Sequence, residues 1–292
     1  MTSDRSAIPN PRTSAMTIDS AAHARPASSR PAEPPLATRS LTHDARTVLF
    51  ALRSEWIKAS SVRANSAILL FALVGGLLVS WAVATFVTDE VLVVAQVGFY
   101  WTSVTSMLAA IGGVLLFGSE VQHGTLAAAV VARPARWIVA VAKTLTAAAL
   151  GLAVGATGLI AGFGGAVIAG LDAGDTSALG ATVSWALLFT TLSAVLGLGL
   201  GMIVRNSTAA IGGVLVWGFV VENLLNIFLP VEVARFLPFF AGNKLLAYAN
   251  DFDTPEAIAV ALSRSESALV FGGYAGVALL VGTVALYRRD TD

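Results

Sequence analysis

SAILLFALVGGLLVSWAVATFV, residues 66–87, carries no charged side chain and no proline. About 20 predominantly apolar residues are needed to cross the hydrocarbon core of a bilayer as a helix. Its apolar residues run continuously, without the alternation of a half-buried strand. This stretch therefore reads as a membrane-spanning helix. Five further runs share the character: Gln96–Phe117, Thr144–Ala169, Ala181–Val204, Thr208–Leu229 and Ala268–Leu286. Gly98 interrupts the second near its start.

Composition agrees. Charged residues make up 12% of the chain, against about 25% in soluble domains, and the mean hydropathy is +0.77. The expected fold class is an all-α polytopic membrane protein with six transmembrane helices. The formal net charge is zero, so bulk attraction to nucleic acid is not indicated. With no cysteine, disulfides, thiol catalysis and thiolate metal sites are excluded.

Two domains are expected. Residues 1–40 hold Pro9, Pro11, Pro26, Pro31, Pro34 and Pro35 among Ser, Thr, Ala and Arg. That composition buries too little apolar surface to offset the entropy of ordering, so it predicts a disordered cytoplasmic tail. It also lacks the apolar core of a secretory signal peptide. Residues 41–292 form the six-span region.

Lys and Arg beside a span favour the cytoplasm. Arg46, Arg53, Lys58 and Arg63 precede the first span; Arg133, Arg136 and Lys143 lie between the second and third. Arg205 follows the fourth span, and Arg288 and Arg289 follow the sixth. The intervening connections carry Asp89 and Glu90, then Asp172 and Asp175, then a mixed segment whose basic residues are Arg235, Lys244 and Arg264. This alternation predicts a multi-pass plasma-membrane protein with both termini cytoplasmic.

Three regions stand out. Residues 42–59 place Ala45, Val48, Leu49, Leu52 and Trp56 at helical spacing, with Arg46, Arg53 and Lys58 elsewhere on the wheel. That pattern fits a helix lying in the membrane interface. Glu222, Asn223 and Asn226 fall within the fifth span. An ionisable group there is a candidate for translocation or gating, unless it lies close enough to the interface to be hydrated. Between spans 5 and 6, Pro238 and Gly242 break an apolar, aromatic segment that predicts short helices dipping into the outer leaflet.

Catalytic signatures are missing. The sequence contains no GxxxxGK[ST] loop, no HExxH and no GxSxG, and His23, His43 and His123 do not cluster with other metal ligands. No enzyme activity, metal or other cofactor is expected.

LRSEWIKASSVRANS (Leu52–Ser66), SEVQHGTLAAAVVARPARW (Ser119–Trp137) followed by AVAKTL, and RFLPFFAGNKLL (Arg235–Leu246) together resemble the permease subunits of ATP-binding-cassette exporters of the type-2 exporter-like family. The middle stretch resembles that family's SE-x-x-HGT loop. Val121 and Gln122 stand where relatives often carry an aromatic and a basic residue, and Ala127–Ala129 are small and neutral. The resemblance implies a permease homodimer or heterodimer in membrane lipid, served by a separate cytoplasmic ATPase subunit. It assigns ATPase coupling to Glu120, His123, Gly124, Arg133 and Arg136, and places Arg53, Glu55, Trp56 and Lys58 on the interfacial helix. The implied activity is ATP-driven export of an amphipathic substrate such as a drug, lipid or peptide. A secondary transporter and a non-transporting scaffold or sensor subunit are the alternatives.

Overall fold

The structure, a computed structural model, describes residues 41–122, 136–246 and 255–289. The expected tail, residues 1–40, lies outside the described residues. Among the described residues there is no strand. The chain is an all-α polytopic protein, with six helices long and apolar enough to cross a membrane.

Helix α1 (Leu41–Ser61) meets the first span, α2 (Arg63–Phe86), at a break centred on extended Val62. The second span opens with one turn, α3 (Val94–Val97), and resumes as α4 (Thr102–Gln122). The interruption falls at Gly98, as the sequence predicts, and Phe163 packs where a β-carbon on Gly98 would sit. Helix α5 (Arg136–Ile168) is the third span and α6 (Leu179–Val204) the fourth. The fifth is composite: α7 (Ser207–Val216), a π-helical turn at Trp217–Val221, then α8 (Glu222–Phe228). Short helices α9 (Val231–Ala234), α10 (Pro238–Lys244) and α11 (Pro255–Ala259) lead to the sixth span, α12 (Arg264–Arg289).

Five predicted spans match the observed helices to within a few residues. The third starts earlier than expected, at Arg136 rather than Thr144. The charge at Lys143 cuts the short apolar run Ile138–Ala142 off from the expected span. Packing retains it, because Ile138 and Ala142 are buried against Ala51 of α1.

Helices α4 and α6 form the centre of the bundle. Their backbones meet through Gly113 and Gly197. A β-carbon on Gly113 would overlap the Ala194 carbonyl, and one on Gly197 the Ala110 carbonyl. Close approach of this kind is how helices gain dispersion contact in lipid, where no hydrophobic drive operates between them. Small-xxx-small spacing does not guarantee it, since Gly276 of the Gly272/Gly276 pair faces open space. At one end of the bundle, Phe117, Ala147, Leu198, Met202 and Leu286 pack together. At the other, Phe99, Leu159, Ala186 and Leu246 do so. The composite fifth span is the least buried of the six.

The α6–α7 turn shows how local chemistry ends one span and begins the next. Arg205 takes a left-handed conformation (φ 55°) and closes α6 through its N–H to the Gly201 carbonyl. Asn206 then caps α7 by accepting a hydrogen bond from the Ala209 N–H at 3.0 Å. A short polar side chain at the N-cap satisfies one of the orphan amides there.

Candidate functional site

Two polar constellations lie at opposite ends of the bundle. The first centres on Glu55 of α1. Its Oε2 accepts from Lys143 Nζ of α5 at 2.8 Å, and its Oε1 from Lys58 Nζ at 2.9 Å. The Lys143 side chain is 1% exposed and the Glu55 side chain 13%. A buried ammonium is costly unless paired, so this contact fixes α1 to the start of α5. Apolar contacts support it: Ala51, Ile138 and Ala142 are buried together, with Val48 beside them. Burial pushes the Glu55 carboxyl up, but Lys143 and then Lys58 outweigh it and hold the group below its ordinary value.

The same end ties α1 to α2. Asn65 Nδ2 donates to the Ala59 carbonyl at 2.7 Å, bridging the break at Val62. Asn65 Oδ1 is buried without a protein partner. Asn65 lines a cavity of about 30 Å³ shared with Glu55, Lys58, Leu115, Leu116 and Ser119, wide enough for a hydrating water. Ser119 belongs to the last turns of α4, and Lys143 lies two turns into α5. One flank of the 123–135 connection is thus held to α1 directly through Lys143, and the other lines a cavity shared with α1 through Ser119.

The predicted coupling residues fall mainly in that connection. His123, Gly124 and Arg133 lie outside the described residues. Glu120 is placed in the last turn of α4 and Arg136 at the first position of α5, by backbone only. On α1, Glu55 faces α5, whereas Arg53, Trp56 and Lys58 are exposed.

The second constellation centres on Glu222. Its Oε1 accepts from the Trp217 indole N–H at 2.7 Å and from the Phe239 N–H at 3.0 Å; its Oε2 accepts from the Phe240 N–H at 2.8 Å. Glu222 is 4% exposed. Three charge-assisted bonds satisfy a carboxylate that burial would otherwise penalise. Phe239 and Phe240 open α10, so Glu222 anchors that helix to the fifth span. The π-helical turn adds one residue between Trp217 and Glu222, which lets the indole of the first reach the carboxylate of the second.

Other contacts seat α10 in the bundle. Ser103 Oγ of α4 donates to Asn243 Oδ1 at 2.5 Å. Phe239 packs on Phe271 of α12 at 5.6 Å between ring centroids, and Phe189 of α6 meets the same ring at 5.1 Å. Arg264 donates to Thr182 Oγ1 at 2.9 Å, joining α12 to α6.

Asn223 and Asn226 are not part of the clamp. Both are exposed on α8. Asn223 Nδ2 donates back to the Phe219 carbonyl at 3.0 Å, satisfying an acceptor of the π turn. Asn226 lines a narrow cleft with Arg235, Phe240 and Lys244. The sequence reading thus groups three neighbours of which, among the described residues, Glu222 alone hydrogen-bonds to another helix. Conversely, it leaves Lys143 outside the site. A lysine flanked by apolar residues on both sides was the available signal, since such a residue requires a counter-ion.

No protein-family model matches the chain, and no curated protein matches it. Among the described residues, no group of three His, Asp or Glu side chains is placed to hold a metal ion.

Proposed function

We propose that this chain is the membrane-spanning permease subunit of an ATP-binding-cassette exporter, working as a dimer with a separate ATPase subunit. One observation carries most of the weight. The polar 123–135 connection leads into α5, which the buried Glu55–Lys143 pair holds to α1, and follows α4, whose Ser119 lines a cavity shared with α1. A load applied to that connection would move α1, α2, α4 and α5 together rather than bend a free loop. The sequence has no P-loop, so such a load would come from another protein.

In this reading the connection and α1 face the cytoplasm of a plasma-membrane protein. Glu120, His123, Gly124, Arg133 and Arg136 dock the ATPase. Closure of the ATPase around ATP displaces the connection, and the bundle transmits the movement to a path between two permease copies. An amphipathic cargo suits helices this apolar. The secondary-transporter alternative requires a carboxylate that takes and releases a coupling ion within the membrane. Glu222 is the carboxylate available in the fifth span, and both of its oxygens are engaged by internal donors.

The test starts from the tagged full-length chain isolated from its native membrane, with co-purifying proteins identified by mass spectrometry. A P-loop ATPase in stoichiometric yield is expected. Charge reversal of Glu120 together with Arg133 should reduce that yield at least tenfold without loss of the folded permease. An ATPase that never co-purifies, or a yield indifferent to the reversal, would sink the proposal.

A further inference from the structure

We propose that α1 presents a binding face for anionic phospholipid, centred on Arg53. The inference depends on membrane embedding and not on the transport reading.

Helix α1 has two apolar faces, not one. Ala51 and Ala59 are buried on one side, the side of Glu55. On the other, Leu49, Phe50, Trp56 and Ile57 are 63%, 67%, 45% and 57% exposed. At 3.6 residues per turn these four flank Arg53, which is also exposed and occupies the middle of the outward stripe. Four large apolar side chains facing water would be a costly patch. At a membrane interface they enter the acyl boundary, with Trp56 at headgroup level. A guanidinium in the centre of such a stripe then lies at the depth of the lipid phosphates, whose geometry it matches bidentately.

The sign of the preferred lipid follows from charge. Among the described side chains of α1, Glu55 is the acid, and it is turned inward and held by Lys143 and Lys58. Among the described side chains, the outward face therefore offers a cation with no competing carboxylate. The Glu55–Lys143 pair also fixes the roll of α1, which keeps Arg53 outward. Leu70 and Phe71 of the adjoining span α2 are exposed as well, as lipid-facing positions of a span are.

The sequence contains no cysteine, so a fluorophore on Ile57→Cys reports one position. The labelled full-length chain is reconstituted in one fixed mixture of phosphatidylcholine and phosphatidylglycerol, with either lipid brominated as quencher. Quenching should be stronger when phosphatidylglycerol carries the bromine, corresponding to about fivefold local enrichment, the effect of one interfacial cation. R53Q should return the ratio toward that of the bulk mixture, and R53K should keep most of the enrichment. A label on Phe86→Cys, at the far end of α2, should show the bulk ratio. Absence of quenching by either lipid would mean that protein or water covers this face, and would overturn the proposal. Equal quenching by both lipids, or enrichment unchanged in R53Q, would overturn it as well.

Discussion

Replacing Lys143 with methionine removes the ammonium while keeping most of the side chain's volume. The substitution leaves Glu55 in place, 13% exposed, with Lys58 as its remaining partner. Breaking a buried pair by deleting one member costs about 3–5 kcal/mol, because the other charge stays buried. Lys58 is itself 48% exposed and compensates only partly, which places the expected cost near the low end, about 3 kcal/mol. For a domain of this size 1 kcal/mol corresponds to about 2–4 °C in Tm, so K143M should melt about 6–12 °C lower. The assay is thermal unfolding of the detergent-solubilised chain followed by intrinsic tryptophan fluorescence. E55Q alone should also destabilise, since it takes the carboxylate away from the buried Lys143 ammonium. The double variant E55Q/K143M should be less destabilised than the sum of the singles, because replacing a whole buried pair by neutral groups is often close to neutral. A shift below about 3 °C in K143M, or strict additivity in the double variant, would show that the pair does not hold α1 to α5.

Three further outcomes concern the same helix contacts. Lowering the pH should weaken the α1–α5 contact: Glu55 has a depressed folded-state pKa, so its contribution is present above its unfolded value near 4.5 and is lost as pH falls below that. The acid-induced loss of stability should be smaller in K143M, measured by the same melts across pH 3–6. G197A should destabilise by about 1–3 kcal/mol through overlap with the Ala110 carbonyl, whereas G276A, facing open space, should be neutral or stabilise by about 0.5 kcal/mol; melting of both variants side by side decides it. Glu222→Ala should release the start of α10. Hydrogen exchange at Phe239 and Phe240 should then accelerate about 10- to 100-fold, matching about 1.5–3 kcal/mol per hydrogen bond to a charged acceptor, while amides in the middle of α4 keep their protection.

Much of the fold was legible because a membrane span is a local signal. A run such as Ser66–Val87 satisfies its own backbone hydrogen bonds and needs no partner to be recognised. The break at Gly98, the turn at Arg205–Asn206 and the short helices after Pro230 were also readable, since glycine, a capping asparagine and proline act on their immediate neighbours. What the sequence could not place was every contact that joins distant positions. Lys143 meets Glu55 across 88 positions, and Ser103 meets Asn243 across 140. Nothing local to either residue names its partner. The early start of α5 belongs to the same class: Lys143 reads as the end of a polar connection until its partner Glu55, on α1, is known.

The ionisable residues in and beside the spans show why one rule cannot cover them. Lys143, Arg205 and Glu222 all interrupt or border apolar runs, and each is resolved differently. Arg205 closes a helix in a left-handed conformation, so its role is set by backbone. Lys143 is neutralised by a carboxylate from another helix, so its role is to hold two elements in register. Glu222 is held by three N–H donors, with no cationic side chain among them, so it orders a helix start. A mobile coupling ion would have to displace those donors, and the site would then lose what positions α10. The burial that makes such residues conspicuous in a sequence is thus offset here by structural partners. Transport, in the reading proposed, is driven from the 123–135 connection rather than from charge held within the spans.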